Sequence, residues 1–377
     1  MDDVRTRLDA VPGGTELRRA AAALAGRVYL VGGAVRDLLL DRPPRELDVV
    51  VEGDPMELAH ALGGEIQQHE RFGTALVTGD GWAVDIARSR RETYARPGAL
   101  PEVEPAPVAE DLRRRDATIN AIAIALDDGS VTAADHALED LDRGLLRVLH
   151  DRSFTDDPSR LWRLSRYRAR LGFELEPTTA ALAVEAVRAG ALGTVSGTRI
   201  GNELRLALRE PDPVAALRSA VELGLAPWLA PGAEAPLAVD GRADLILLAA
   251  SLRDPAVLTE LGFPAADLAV VEAGVRVRDG AVHPAADRPS AIAAAYRGLP
   301  DEAVALAPAE DRAFARRWLD ELRDIQLAIT GDDLIAAGIP RGPEIGARLR
   351  STLDAVLDGH VPHDRDAQLA HALEGER

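Results

Sequence analysis

The chain has 377 residues, enough for about two or three domains of typical size, and it contains no cysteine. The lack of cysteine excludes disulfides, thiolate catalysis and cysteine-based zinc sites. Hydrophobic residues make up 47% of the chain and aromatic residues only 3%, so its cores must be built mainly from alanine, leucine and valine. This composition favours packed helices over a β-sandwich.

The formal net charge of −18 argues against a nucleic-acid partner. A nucleic acid can bind only if charge is segregated to give one basic surface, and the arginine-rich stretch 147–170 fits that condition. The N-terminus is acidic and has no long apolar run, so no signal peptide is predicted. The apolar stretches are far shorter than the ~20 residues that cross a bilayer, and we expect a cytoplasmic protein with no membrane partner.

The first part of the chain mixes strand and helix patterns. Apolar runs predict strands at 27–31 and 47–51, with a short helix over 34–40 between them. Residues 75–78 and 82–86 flank a Gly-Asp-Gly turn and predict a β-hairpin. This part is therefore predicted to be an α+β domain.

From Asp157 onward the pattern is helical. Asp157 is a suitable N-cap because proline follows it, and Gly172 is a suitable end for the same helix. The apolar residues of this segment recur at helical spacing: Leu161, Leu164, Tyr167 and Leu171. Alanine- and leucine-rich helices then fill most of the chain to its end.

Two glycines follow the first predicted strand, and two carboxylates lie at the second. Gly32 and Gly33 let the backbone approach phosphates closely, and the helix after them offers free N–H groups. Glu46 and Asp48 are spaced i and i+2 on a strand, so they point to the same side and can hold a divalent metal. Phosphoryl transfer with two metals requires carboxylates of this kind, but each feature alone is common in turns and strand edges.

This arrangement resembles the signature of the polymerase-β-type nucleotidyltransferases. The run Gly-Gly-Ala-Val-Arg-Asp at 32–37 is similar to the first motif of class II CCA-adding enzymes and bacterial poly(A) polymerases. The resemblance implies that Glu46 and Asp48 bind catalytic Mg²⁺, although the family has Asp where this chain has Glu46, a change that could shift the metal and reduce activity. Asp85 is either a third catalytic carboxylate or an ordinary hairpin residue. The residues implied to bind the nucleotide here are Gly32, Gly33, Arg36 and Asp37.

A second motif, at residues 114–121, resembles the family sequence Arg-Arg-Asp-Phe-Thr-x-Asn-Ala, with Ala117 in place of Phe. The resemblance implies that Asp116 addresses the ribose hydroxyl and selects ribonucleotides, and that Arg115 and Asn120 belong to the nucleotide site. Asp116 and Asn120 are four residues apart and share a face if the segment is helical.

A third motif, at residues 156–167, resembles the Glu-Asp-x-x-Arg motif and the arginine-rich helix after it. An isolated segment of this kind would be an N-cap with arginines on an exposed face. As a base-reading pair, Asp157 accepts and Arg160 donates hydrogen bonds, which suits cytosine and adenine and rejects uracil and guanine without a template. Arg163 and Arg166 extend the same nucleotide site.

Weaker matches extend the resemblance. Residues 91–101 resemble the flexible loop between the first two family motifs, and 198–204 resemble the neck motif, with Thr198 in place of Glu. The hinge glycines of the family are absent after Asp135, which predicts a stiffer hinge between head and neck. His363 has no spaced partners for a metal and is predicted to lie on the surface.

The resemblance implies a polymerase-β-type α+β head with a small mixed or antiparallel sheet over 1–149. The head is followed by a helical neck that recognises the base, residues 150–212. A helical body and tail that bind tRNA make up residues 213–377. The implied activity is addition of CMP and AMP from CTP and ATP to the 3′ end of tRNA. The protein is expected to bind the tRNA at its acceptor arm. The alternatives are a narrower CC-adding, A-adding or poly(A)-adding enzyme, an RNA-binding protein that has lost catalysis, and a nucleotide-sensing regulator.

Overall fold

The computed structural model describes residues 2–24, 27–69, 73–231 and 235–374. The chain divides into two compact units, residues 1–227 and 228–377. None of the described helices is long and apolar enough to cross a membrane. The domain boundaries expected at 149 and 212 remain predictions.

The first unit contains a seven-stranded mixed sheet together with two short two-stranded sheets. Its strands are β1 (Val28–Val31), β2 (Leu47–Val51), β3 (Glu65–His69), β4 (Thr74–Gly79), β5 (Trp82–Arg88), β6 (Arg90–Thr93), β7 (Glu102–Pro105), β8 (Ile122–Ala125), β9 (Val131–Ala133), β10 (Leu145–Leu146) and β11 (Glu174–Leu175). The order in the large sheet is β3-β4-β5-β2-β1-β8-β9. In it β1 pairs antiparallel with β2 and β8, whereas β2 and β5 run parallel.

Helices surround the sheet and continue beyond it in the same unit. They are α1 (Asp2–Asp9), α2 (Gly14–Ala21), α3 (Gly33–Leu39), α4 (Pro55–Leu62), α5 (Val108–Arg113), α6 (Ala137–Arg143), α7 (Ser153–Asp156), α8 (Ser159–Leu171), α9 (Pro177–Arg188), α10 (Gly197–Leu208) and α11 (Pro213–Glu222). The predicted strands at 27–31 and 47–51, the helix over 34–40 and the hairpin are confirmed as β1, β2, α3 and β4–β5. The local apolar patterns therefore specified these elements.

Strand β2 is buried along its length except at one position. Leu47, Val49, Val50 and Val51 are each at most 2% exposed, whereas Asp48 is only partly buried. The strand therefore holds one carboxylate rigidly at the edge of an apolar core.

Helix α8 begins one residue later than predicted. Pro158 adopts helical φ and ψ angles but lies before the first residue of α8, Ser159. Asp157 accepts hydrogen bonds from the backbone N–H and the hydroxyl of Ser159, at 3.1 and 2.6 Å. Its side chain thus makes the predicted N-cap hydrogen bond, and Pro158 takes up the helical conformation just ahead of the regular helix. The helix ends at Gly172, with φ +72°, as predicted.

A buried carboxylate in α6 connects this helix to the 3₁₀ turn at Thr118–Asn120. Asp140 is fully buried and accepts a hydrogen bond from the Thr118 hydroxyl at 2.7 Å. Arg147 donates two more hydrogen bonds to it, at 2.9 and 3.1 Å. This network lies just after the segment where hinge glycines are absent, and the stiffness of that hinge stays a prediction.

We expect Asp140→Ala to lower the free energy of unfolding by about 3 kcal/mol, because it leaves Arg147 and the Thr118 hydroxyl without their buried acceptor. Urea denaturation measures the change. Asp142→Ala, at an exposed position of the same helix, is the matched control and should change stability by less than about 0.5 kcal/mol. Equal losses for the two variants would contradict a special role for the buried carboxylate.

The regular elements of the second unit are helices. They are α12 (Ala243–Ser251), α13 (Val257–Glu260), α14 (Ala265–Arg278), α15 (Pro289–Tyr296), α16 (Asp301–Val304), α17 (Arg312–Arg317), α18 (Gly331–Ala336), α19 (Pro343–Leu357) and α20 (Arg365–Glu374). Small residues bring them close together. A Cβ on Gly274 would lie 2.9 Å from Ala249 Cβ and 3.0 Å from Leu306 Cδ1. This agrees with the packed, aromatic-poor helices that the composition predicted.

Candidate active site

A cleft of about 690 Å³ in the first unit collects nearly all of the predicted site residues. Nine arginines and eight carboxylates line it, so the cleft is far less acidic than a chain with net charge −18. The predicted residues that line it are Gly32, Gly33, Arg36, Asp37, Glu46, Asp48, Arg115, Asp116, Asn120, Asp157, Arg160, Arg163 and Arg166. Asp85 lines an adjoining pocket of about 200 Å³, which it shares with Glu46.

Glu46, Asp48 and Asp85 form a carboxylate cluster in which the ligand oxygens all lie within 4.8 Å of one another. Asp48 and Asp85 are direct partners in the parallel pairing of β2 and β5, and Glu46 immediately precedes β2. Burial raises the pKa of Asp48 to about 6, against the opposing charge of Arg115 and with support from Glu46 and Asp85. Three carboxylates this close fit a divalent cation with oxygen ligands.

Gly32 lies between β1 and α3 in a conformation that favours glycine, with φ +66°. A Cβ at this position would lie only 2.7 Å from Nη1 of Arg115. Arg115 is held by an ion pair with Asp111 at 3.0 Å, and its Nε is buried without a hydrogen-bond partner among the described residues. The glycine therefore makes room for a guanidinium close to the backbone, an arrangement suited to a phosphate group.

Asp116 is buried at the centre of a hydrogen-bond network. Its Oδ2 accepts from Arg163 Nε at 2.6 Å and from the Tyr167 hydroxyl at 2.7 Å, and its Oδ1 accepts from Asn120 Nδ2 at 3.0 Å. Asn120 in turn accepts from Arg36 at 2.8 Å. Burial alone would raise the pKa of Asp116, but Arg163, Asn120 and Tyr167 hold it well below its usual range. The carboxylate is therefore ionised and can only accept hydrogen bonds.

Asp157 and Arg160 both line the cleft, and no hydrogen bond joins their side chains within the described ranges. Oδ1 of Asp157 accepts from Arg199 at 2.8 Å. The terminal nitrogens of Arg160 donate to the Ser153 hydroxyl and to the Arg114 carbonyl, each at 2.7 Å. These bonds fix both side chains and leave Asp157 Oδ2 and one N–H on each terminal nitrogen of Arg160 without a partner among the described residues, so that they can bind a base.

Several residues of the cleft and its surroundings were not predicted. Arg199 joins Asp157 to the carbonyl of Gly98, at 3.0 Å, in the loop after β6. Arg170 makes a bidentate ion pair with the buried Glu210, in which Nε and Nη2 donate to Oε2 and Oε1 at 2.8 and 2.5 Å. Arg170 continues the helical spacing of the predicted arginines on α8, which would have revealed it. Glu210 follows α10 and carries no comparable sequence pattern.

Two protein families match parts of the chain. Residues 28–147 match the family described as the Poly A polymerase head domain. Residues 172–236 match the family described as a probable RNA and SrmB-binding site of polymerase A.

Three relatives are named for different reactions. The A-adding tRNA nucleotidyltransferase of Geobacter sulfurreducens is 36% identical over 89% of this chain and 43% of its own length. The CC-adding tRNA nucleotidyltransferase of Deinococcus radiodurans is 37% identical over 85% of this chain and 82% of its own length. The CCA-adding enzyme of Lacticaseibacillus paracasei is 30% identical over 92% of both. The chain thus spans less than half of the Geobacter relative.

Solved structures of CCA-adding enzymes have the same fold. A complex with CTP gives a TM-score of 0.76 at 26% identity, covering 99% of this chain and 98% of that one. The Thermotoga maritima enzyme in complex with tRNA gives 0.72 at 26% identity, with the same coverage. The predicted polymerase-β-type head followed by helices is therefore confirmed. This chain belongs to the family of class II tRNA nucleotidyltransferases and bacterial poly(A) polymerases.

Proposed function

We propose that this protein extends the 3′ end of tRNA without a template, transferring CMP and AMP from CTP and ATP and releasing pyrophosphate. The observation that carries this proposal is that the carboxylate cluster borders the same cleft as Asp157 and Arg160. The first group suits phosphoryl transfer, and the second suits selection of a base. The named reactions of the relatives support the same class of substrate. A tRNA substrate would place the reaction in the cytoplasm.

In the proposed reaction the tRNA 3′-hydroxyl attacks the α-phosphorus of the bound nucleotide, and the bond to the β-phosphate breaks. The carboxylate cluster would hold divalent cations, which we propose to be Mg²⁺, and these would supply positive charge to the hydroxyl and the phosphates. The triphosphate lies against the Gly32–Gly33 turn. Arg36 and Arg115 donate hydrogen bonds to its oxygens, because both guanidinium groups line the cleft there.

The sugar and the base are recognised by buried polar groups. Asp116 accepts a hydrogen bond from the ribose hydroxyl. Oδ2 of Asp157 accepts from the amino group of cytosine or adenine, while Arg160 donates to the adjacent ring nitrogen. Uracil and guanine present donor and acceptor in the opposite order and would leave these groups unpaired. Such a mismatch in a desolvated site gives strong discrimination. The helices of the second unit are proposed to contact the tRNA backbone.

Addition of A alone is a second candidate activity. The A-adding relatives are 36% to 44% identical to this chain, against 30% to 41% for the relatives named as CCA-adding enzymes or as a multifunctional CCA protein and 37% for the CC-adding relative. The two activities share the same cleft chemistry, since one Asp–Arg pair suits both bases.

Nucleotide incorporation distinguishes these activities. The protein, Mg²⁺ and labelled CTP or ATP are incubated with tRNA ending before CCA, after C, and after CC. Growth to CCA followed by arrest supports the full activity, whereas addition of only A to the last substrate supports the second candidate. Long A tails would indicate a poly(A) polymerase. Tight tRNA binding without incorporation on any substrate would overturn the proposal in favour of an RNA-binding protein.

Glu46→Asp tests whether the longer carboxylate weakens the site. Because the Glu46 carboxylate already reaches the carboxylate cluster, we expect incorporation rates within about ten-fold of the wild type. Single-turnover incorporation measures the rate. Glu65→Asp, at an exposed position of β3, is the matched control and should leave the rate unchanged. A gain above roughly 100-fold in Glu46→Asp would indicate a weakened site in the natural chain.

A further inference from the structure

Tyr167 lies beside Asp116 with its hydroxyl held in one orientation. The residue, on α8, is 95% buried, and the guanidinium carbons of Arg36 and Arg163 lie 5.7 and 5.8 Å from the centroid of its ring. The hydroxyl accepts a hydrogen bond from Arg163 Nη2 at 2.8 Å and lies 2.7 Å from Asp116 Oδ2. Because a guanidinium can only donate, the single hydroxyl proton must point to Asp116.

The titration of Tyr167 is consistent with this donor role. Burial raises the pKa of Tyr167 to about 12, against the opposing charge of Arg163. The hydroxyl therefore keeps its proton at neutral pH, where Asp116 is ionised.

The acceptor capacity of Asp116 is almost used up. A carboxylate offers about four acceptor positions, roughly two on each oxygen. Arg163 Nε and the Tyr167 hydroxyl fill Oδ2, and Asn120 Nδ2 takes one position on Oδ1. The amide of Asn120 cannot flip, because its own oxygen accepts from Arg36. Within the described part of the chain, a single acceptor position on Oδ1 remains.

We propose that Tyr167 is a positioning residue for sugar selection: its hydroxyl fills Oδ2 of Asp116 and leaves one acceptor position, on Oδ1, for the 2′-hydroxyl of a ribonucleotide. The inference rests on the proposed function and deepens it. A deoxynucleotide leaves that last position on a buried charge unpaired, which penalises its binding. Without the Tyr167 hydroxyl two positions are open, so the carboxylate can turn or bind water. The lack of a 2′-hydroxyl then weakens the binding of a deoxynucleotide less.

Tyr167→Phe removes one oxygen and keeps the ring in contact with the two arginines. Calorimetric titration with CTP, dCTP, ATP and dATP, in Mg²⁺ and without tRNA, gives the ratio of ribonucleotide to deoxynucleotide affinity. We expect this ratio to fall by about ten-fold or more, while affinity for the ribonucleotide falls by less than about five-fold. A merely structural role would weaken both kinds of nucleotide equally and leave the ratio unchanged.

Two further variants keep the test decisive. Tyr296→Phe, in the second unit, removes a buried hydroxyl that has no hydrogen-bond partner among the described residues, and it should leave the ratio unchanged. Asn120→Ala opens an acceptor position on the other oxygen of Asp116 and should also lower the ratio. If circular dichroism shows that Tyr167→Phe does not fold, the ratio measured for Asn120→Ala tests the inference instead.

The outcomes separate this inference from the proposed function. A folded Tyr167→Phe protein with the wild-type ratio would overturn the inference, even if the wild type extends tRNA normally. A wild-type protein that prefers ribonucleotides but extends no tRNA would overturn the proposed function, while a lower ratio in Tyr167→Phe would still support the inference. Absence of binding to all four nucleotides would overturn both.

Discussion

Asp48→Asn is expected to reduce nucleotide incorporation by at least about 1,000-fold while leaving tRNA affinity unchanged. Asp48 is the most buried member of the carboxylate cluster, and Asn presents an NH₂ donor where a cation needs an oxygen. A 1,000-fold loss corresponds to about 4 kcal/mol of transition-state stabilisation. Single-turnover incorporation into a tRNA that lacks its terminal A measures the rate, and a gel shift measures tRNA affinity.

Asp80→Asn is the matched control for this substitution. Asp80 is exposed in the turn between β4 and β5, the strand that carries Asp85. Its replacement removes the same charge and should leave the rate within about two-fold of the wild type. An Asp48→Asn protein that retained a tenth of wild-type activity would contradict the proposed role of the carboxylate cluster.

Asp157→Asn is expected to lower kcat/KM for CTP and ATP by about 100-fold or more and to remove most of the preference over UTP and GTP. The substitution is well matched to the geometry. Asn keeps an oxygen to accept from Arg199 and Ser159, as Oδ1 does in the natural chain. Only the remaining oxygen is replaced, by an NH₂ group that cannot accept from the amino group of cytosine or adenine.

Steady-state kinetics with each of the four nucleoside triphosphates tests this prediction. Asp151→Asn, at an exposed position shortly before α7, is the control and should preserve both rate and preference. If Asp157→Asn kept the wild-type ratio of CTP to UTP, base selection would have to reside in other groups of the cleft.

The sequence predicted best where a short pattern determines the geometry. Glu46 and Asp48 lie two residues apart at the start of a strand, so local backbone geometry alone places them on the same side. Asp85 could not be assigned in this way. It reaches Asp48 only because β2 and β5 pair in parallel, after α4, β3 and β4 have intervened in the chain. Strand order of this kind depends on the whole domain.

Side-chain networks were the least predictable part of the site. Arg199 meets Asp157 across 42 residues of chain, and Tyr167 meets Asp116 across 51. The helical pattern predicted that Tyr167 is buried, but periodicity says nothing about the partner of a buried hydroxyl. For Asp157, the N-cap pattern predicted the hydrogen bond from the Ser159 N–H but not the one from Arg199.

The parallel pairing of β2 and β5 also determines where the gene can tolerate the insertion of a single codon. Asp85 belongs to the carboxylate cluster because it lies directly beside Asp48 in the paired strand. One codon inserted within β5 ahead of Asp85 would turn its carboxylate to the opposite face of the sheet, since side chains alternate along a strand. One codon inserted at Asp80–Gly81, in the turn before β5, lengthens only the hairpin connection and preserves the register. A scan of single-codon insertions along this segment would therefore record the strand register directly as gain or loss of tRNA extension.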